Sequence, residues 1–185
     1  MNGFHGARYY RSADSLCQVV AVFLGCGLVS DEPALVIATA RHRAAVRKFL
    51  RIASFSVDRL RQRRRLVMVD AAATLKAIMV HGTPDPVRFE SVVGALVARV
   101  GDTGRHHTRV YDEMVDLLWK REQSRAALQL EALWDRLLGA HQCSLLCGHG
   151  PDEPGEPAQT LVARHSHVVA ENGVAHPVMV TCSSG

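Results

Sequence analysis

The chain has 185 residues, of which 48% are hydrophobic and 22% charged, with a formal charge of +4 and a pI of about 9.0. That length fits one domain with apolar material for one sizeable core. No apolar run reaches the roughly 18 residues that span a bilayer, and the start MNGFHGARYY lacks the charged-then-apolar layout of a secretory signal, so the expectation is a cytoplasmic protein without a membrane role.

In chain order, HGARYY (His5 to Tyr10) reads as a first strand. Ser12 or Asp14 can cap the helix that follows, because Leu16, Val19, Val20, Phe23 and Leu24 recur at helical spacing. Gly25 and Gly27 are expected to end it. PALVIAT (Pro33 to Thr39) is a continuous apolar run bounded by turn residues, the pattern of a strand buried on both faces. A helix from about Arg41 to Ile52 follows, with Ala45, Val46, Phe49 and Leu50 inward. RLVMVDA (Arg65 to Ala71) is the third strand, and a short helix over about 72–80 leads to the turn HGTPDP. Asp85-Pro86 starts the next helix, with proline in its first turn, and this helix runs to about Arg99. TRVYD (Thr108 to Asp112) is the fourth strand. Two helices, split near Glu122 to Ser124, separate it from the fifth, CSLLCGH (Cys143 to His149).

Repeated βα units with apolar strands predict an α/β domain: a mostly parallel central sheet of about five strands with helices on both faces. Residues 1–150 form the main body. Residues 151–171 are read as a Pro/Gly-rich linker with one last short helix of the same domain over TLVARHSHVV, and residues 172–185 as a flexible tail. In parallel sheets ligands bind beyond the carboxyl ends of the strands. That rule selects Tyr10 to Ser12, Thr39 to Arg41, Asp70, Tyr111 to Glu113 and Gly148 to His149.

The first strand-turn-helix is where a phosphate loop would stand, yet its turn YYRSADSL has neither glycine nor lysine. Hydrolysis of a nucleoside triphosphate is therefore not expected. Arg11 and two hydroxyls at a helix start leave room for a weakly bound anion. VYDEM looks like a strand-end Asp-Glu pair of the magnesium-and-base kind, but Asp112 and Glu113 also suit the N-terminus of the next helix. Five cysteines (Cys17, Cys26, Cys143, Cys147, Cys182) without a signal segment predict reduced thiols. Cys143 and Cys147, four apart on a strand, face one side at about 13 Å, too far for a shared zinc ion with bonds of about 2.3 Å. His165 and His167 could share a metal only on a non-helical backbone. His5 is either a core histidine or a ligand contact. No metal, cofactor or catalytic group is expected. The basic runs ARHRAAVRKFLR and RLRQRRR carry no nucleic-acid motif and are read as a solvated helix face and a basic loop.

One ordered series of stretches points further: HGARYY, FLGCGL (Phe23 to Leu28), PALVIAT with His42 and Arg43 after it, LVMVDA with Thr74 and Leu75 after it, GTPDPVRF (Gly82 to Phe89), RVYDEMVDLLW (Arg109 to Trp119), LEALW (Leu130 to Trp134), CSLLC (Cys143 to Cys147) and HSHV (His165 to Val168). The series, from about residue 4 to about 171, resembles the MEDS domain, the methanogen/methylotroph DcmR sensory domain. The resemblance implies a relative of the KaiC/RecA-like ATPase fold, a three-layer sandwich, that has lost its phosphate loop. It also implies a non-enzymatic cytoplasmic sensor for small molecules such as hydrocarbon derivatives. Members are commonly joined to a DNA-binding domain or a histidine kinase region. Neither is visible here, which leaves two expectations, a stand-alone sensor acting on a signalling protein in trans or a fragment of a longer chain, with a homodimer compatible. Asp112 departs from the small residue expected at its position.

The residues expected to line or support a ligand site are His5, Tyr9, Tyr10, Arg11, Asp70, Tyr111, Glu113 and Trp119. The aromatics would form apolar walls, and His5 with the carboxylates would orient a polar group. Tyr9 and Tyr10 cannot both line one face, because successive strand residues alternate sides. A degenerate nucleotide-binding domain and a ligand-free interaction module are the rival readings.

Overall fold

A computed structural model describes residues 4–102, 104–150, 165–169 and 175–177. The expected linker over 151–160 and most of the expected tail lie outside the described residues. The strands are β1 (His5–Tyr9), β2 (Ala34–Ala38), β3 (Leu66–Asp70), β4 (Met79–Val80), β5 (Thr83–Pro84), β6 (Thr108–Asp112), β7 (Cys143–His149), β8 (His167–Val169) and β9 (Ala175–Pro177). The helices are α1 (Ala13–Val29), α2 (Ala40–Ile52), α3 (Val57–Gln62), α4 (Ala71–Ile78), α5 (Pro86–Phe89), α6 (Ala95–Val100), α7 (Met114–Trp119) and α8 (Ser124–Ala140), with a π-helical turn, Glu90–Gly94, joining α5 to α6.

Seven strands form the central sheet in the order β3-β2-β6-β7-β1-β8-β9. All pairings are parallel except β8 with β9. Strand alternation sorts the side chains into two cores. Leu35, Ile37, Val110, Leu145 and Cys147 face one side and pack under α4 through α8. Val36, Ala38, Tyr111 and Leu146 face the other and pack under α1, α2 and α3. The result is the three-layer α/β sandwich that the buried apolar strands predict. Among the described residues no helix is long and apolar enough to cross a membrane.

Four details depart from the sequence reading. Gly25 and Gly27 do not end α1, which continues to Val29. They are packing residues: a Cβ on Gly27 would stand 2.4 Å from Arg109 Cγ, and one on Gly25 would stand 3.1 Å from Phe55. The short helix expected over the HSHV stretch is not there in its described part, where His167–Val169 is strand β8 beside β1. Ala175–Pro177, inside the expected tail, pairs antiparallel with it. The sheet thus gains two strands beyond the expected five because β1 has a second edge to satisfy, and an unpaired buried backbone edge is costly. Finally, part of the basic loop after α2 is helix α3.

Capping is mixed. Ser12 stands at the N-cap of α1 with no side-chain hydrogen bond, whereas Asp85 accepts from Arg88 N at 2.8 Å with Pro86 behind it, as expected. Between α4 and α5 the tight hairpin β4–β5 turns on His81 and Gly82, both at positive φ (48° and 81°), the geometry of a two-residue turn of the primed kind.

Candidate functional site

The sheet carries a polar cluster on each face, and the alternation of β1 splits the expected residues between them. On the α1/α2 side, at the carboxyl ends of β2, β6 and β7, stand Tyr10, Tyr111 and Glu113. Glu113 accepts from Thr39 N at 2.8 Å and from Tyr111 Oη at 2.9 Å, and it pairs with His42 Nδ1. Beside it, Asp116 Oδ1 accepts from Gly150 N at 2.8 Å, and its Oδ2 accepts from Tyr10 Oη at 3.2 Å and from Lys120 Nζ at 2.6 Å. Lys120 also donates to Tyr10 Oη at 3.1 Å. Burial raises the Tyr10 and Tyr111 hydroxyl pKa values, with the adjacent carboxylates adding to it. The strand ends selected by the carboxyl-edge rule therefore hold a closed ion network with its partners already in place.

Gly148 is the tight point of this network. A Cβ there would lie 2.6 Å from Tyr111 Oη, which is held by Glu113. Gly148→Ala is expected to destabilise the fold by about 1–3 kcal/mol through overpacking, read as a lower urea midpoint at unchanged slope. An unchanged midpoint would show that the tyrosine has room to move.

On the α8 side lies a second cluster, built from β1, β7, α8 and the residue leading into β8. His5 Nδ1 is 3.0 Å from Asp135 Oδ1 and His5 Nε2 is 3.3 Å from Glu131 Oε2. Cys147 Sγ is 3.7 Å from His5 Nε2, and His165 Nε2 is 3.6 Å from Glu131 Oε1. The His165 ring lies 4.4 Å from that of His5 and 5.2 Å from that of His149, which stacks on Tyr9 at 5.3 Å. His5, Glu131, Cys147, His149 and His165 are all buried. Burial alone would lower the His5 pKa, but the hydrogen bond to Asp135 and the contact with Glu131 outweigh it and raise it to about 9. Burial likewise works against the Glu131 carboxylate, and His5 and His165 more than compensate, so its pKa falls. For His149 burial, and then the charge of His165, outweigh the Glu131 carboxylate and push it down to about 3. The Tyr9 hydroxyl, both Glu131 oxygens and His149 Nε2 are buried with no aligned hydrogen bond among the described residues. The side-chain donors of His5, Glu131, Cys147 and His165 all lie within 4.8 Å of one another.

Three expected site residues stand elsewhere. Asp70 caps α4 by accepting from Ala73 N at 2.9 Å and pairs with Arg43 at 3.1 Å. Trp119 is half-buried against the α4–α8 core. Arg11 is exposed in the β1–α1 turn. In the VYDEM stretch, Asp112 accepts from Met114 N at 3.1 Å and from Trp134 Nε1 at 3.0 Å. Burial pushes its pKa up to about 8 against those two bonds. Cys143 and Cys147 are both buried and in no disulfide; of the two, Cys147 reaches the cluster.

Sequence reasoning missed Glu131, Asp135, Asp116 and Lys120. Glu131 left a signal: it occupies the inward stripe of α8 between Ala127 and Trp134, a position that helical spacing assigns to an apolar residue. Away from both clusters, an apolar groove of about 710 Å³ opens between α1 and α2, lined in part by Val22, Val29, Phe49, Ile52 and Phe55. It contains none of the expected ligand residues.

A comparison with family models finds one match, over residues 5–165: MEDS, the methanogen/methylotroph DcmR sensory domain. No curated protein matches the chain.

Proposed function

We propose a small-molecule sensor, because the chain belongs to the MEDS family of sensory domains and carries a buried polar cluster in which several polar atoms lack an aligned hydrogen bond among the described residues. The carrying observation is that cluster: the Tyr9 hydroxyl, the Glu131 oxygens and His149 Nε2 are buried without aligned partners among the described residues. Buried polar atoms without a hydrogen bond are rare in folded proteins, and a bound water, ion or small molecule is one way to satisfy them. Tyr9 and the imidazole rings offer flat walls, and His5 and Glu131 offer charge, which suits a small molecule with an apolar body and one polar group. Such a molecule would touch β1, α8, β7 and the approach to β8 together. Its binding would thereby be felt along the C-terminal strands, and a signalling protein in the cytoplasm would read that change. No reaction is assigned to the chain. A kinship with KaiC/RecA-like ATPases is part of the same proposal, supported by the parallel three-layer sheet and by a first turn without glycine or lysine.

A thermal-shift screen tests this reading, since a ligand that binds only the folded state raises apparent stability. The probes are short oxygenated and halogenated hydrocarbons, simple carboxylates and ATP. The expected result is a shift with one of the organic molecules that disappears in Tyr9→Phe, which removes only the unpartnered hydroxyl. A shift with ATP alone, abolished by Arg11→Ala, would replace the proposal with a degenerate nucleotide-binding domain. The groove between α1 and α2, with Val29 79% and Ile52 68% exposed at its rim, favours a second reading, a ligand-free interaction module. That reading predicts a partner complex or homodimer insensitive to every probe and lost in Val29→Asp.

A further inference from the structure

We infer that the α8-side cluster is a metal site, in which His5, Glu131, Cys147 and His165 hold one divalent ion of the zinc class. The inference concerns the same cluster as the proposed sensory site but stands on donor geometry, which is independent of what organic molecule binds there.

The distances fit. Zinc bonds of about 2.0–2.3 Å in a tetrahedron place neighbouring donors about 3.3–3.8 Å apart. Here His5 Nε2 is 3.3 Å from Glu131 Oε2, His165 Nε2 is 3.6 Å from Glu131 Oε1, and Cys147 Sγ is 3.7 Å from His5 Nε2. No pair in the set exceeds 4.8 Å. Four side chains from four separate parts of the chain are thus gathered at ligand spacing.

The support around the donors fits as well. A metal-binding imidazole usually donates its other nitrogen to a carboxylate, which fixes the ring and its tautomer. His5 Nδ1 meets Asp135 Oδ1 at 3.0 Å, which aims Nε2 at Glu131 and Cys147. Both Glu131 oxygens are buried without an aligned hydrogen bond among the described residues. Coordination would supply what they lack. Charge balances too: a carboxylate and a thiolate neutralise a dication, while both imidazoles bind uncharged. The ion takes the place of the thiol proton of Cys147 and of any proton on His5 Nε2, and these leave to solvent.

The donor set also selects the ion. Imidazole, thiolate and carboxylate together suit borderline metals such as zinc, whereas magnesium and calcium require oxygen ligands. The cysteine pair weighed in the sequence is thereby replaced: Cys147 joins histidines and a glutamate brought by folding, and Cys143 takes no part.

The full chain, stripped with a chelator, is titrated with Co(II) as a coloured substitute for Zn(II), followed by competition with Zn(II). The expected result is one Co(II) per chain, visible bands of a tetrahedral ion, a near-ultraviolet thiolate-to-cobalt band, and displacement by Zn(II). Cys147→Ser, close in size to the native residue, should lose the near-ultraviolet band. Asp135→Asn should keep the band and weaken affinity about 10–100-fold, the usual effect of losing a carboxylate behind a ligand histidine. Far-ultraviolet circular dichroism of both variants checks that they fold. Absence of stoichiometric binding in the unmodified chain overturns the inference, and so does a thiolate band that persists in Cys147→Ser. No organic ligand enters this titration. A negative result here leaves the sensory reading intact, and a negative small-molecule screen leaves the metal site intact.

Discussion

Trp134→Ala is expected to destabilise the fold by about 3–5 kcal/mol, the range for removing a large buried aromatic. The indole is fully buried and meets Phe89 edge-on at 5.3 Å between centroids. Its truncation removes packing at the point where α8 meets α5 and the sheet. It also strips Asp112 of the hydrogen bond from Trp134 Nε1, and a buried acceptor left without its donor costs about 1–3 kcal/mol. Trp134→Phe separates the contributions, because it keeps most of the volume and loses only the donor. Urea denaturation followed by circular dichroism gives both numbers. A loss below about 1 kcal/mol for the alanine variant would contradict the packing described, given that range.

The second large effect is expected on the opposite face. Glu113→Ala removes the common acceptor of Thr39 N, Tyr111 Oη and His42 Nδ1. Tyr111 is fully buried, so its hydroxyl is left without an acceptor, and a buried polar group left unsatisfied costs about 1–3 kcal/mol. Glu113→Gln keeps an acceptor oxygen and should fall well short of that loss. If the glutamine variant is as unstable as the alanine variant, the carboxylate charge matters more than the hydrogen bonds. Trp134 and Glu113 lie on different faces, but Asp112, which accepts from Trp134 Nε1, also feels the Glu113 carboxylate, so a small coupling between the two effects is expected. The double variant in the same denaturation assay checks this.

The layered α/β architecture was legible because parallel strands buried on both faces leave continuous apolar runs, as Ala34–Ala38 does. The carboxyl-edge rule also brought Tyr10, Tyr111 and Glu113 together correctly, since strand ends follow from strand positions. What surrounds His5 was not legible. Its partners Asp135 and Cys147 lie 130 and 142 residues away, and no local pattern reports a contact made by closure of the sheet. Strand β8 was hidden for a related reason. Its two valines favour a strand, but three residues are too short a run to declare one, and the open edge of β1 decides their conformation. Gly25 and Gly27 misled because glycine in a helix signals a stop as readily as a close approach. Only the position of Arg109 and Phe55 distinguishes the two.

The place of β1 in the sheet has a consequence for how the chain folds. It is the first strand in sequence, yet His5 pairs with Leu145 of β7 and Gly6 with His167 of β8. Both neighbours are translated long after it. On the ribosome, β2, β3 and β6 can assemble as a continuous block while β1 waits with both edges bare. Closing loops of that length precedes any stabilising contact, which slows folding and prolongs exposure of bare strand edges. Emergence of β7 and β8, rather than synthesis of the earlier strands, is then the step at which productive folding and aggregation compete.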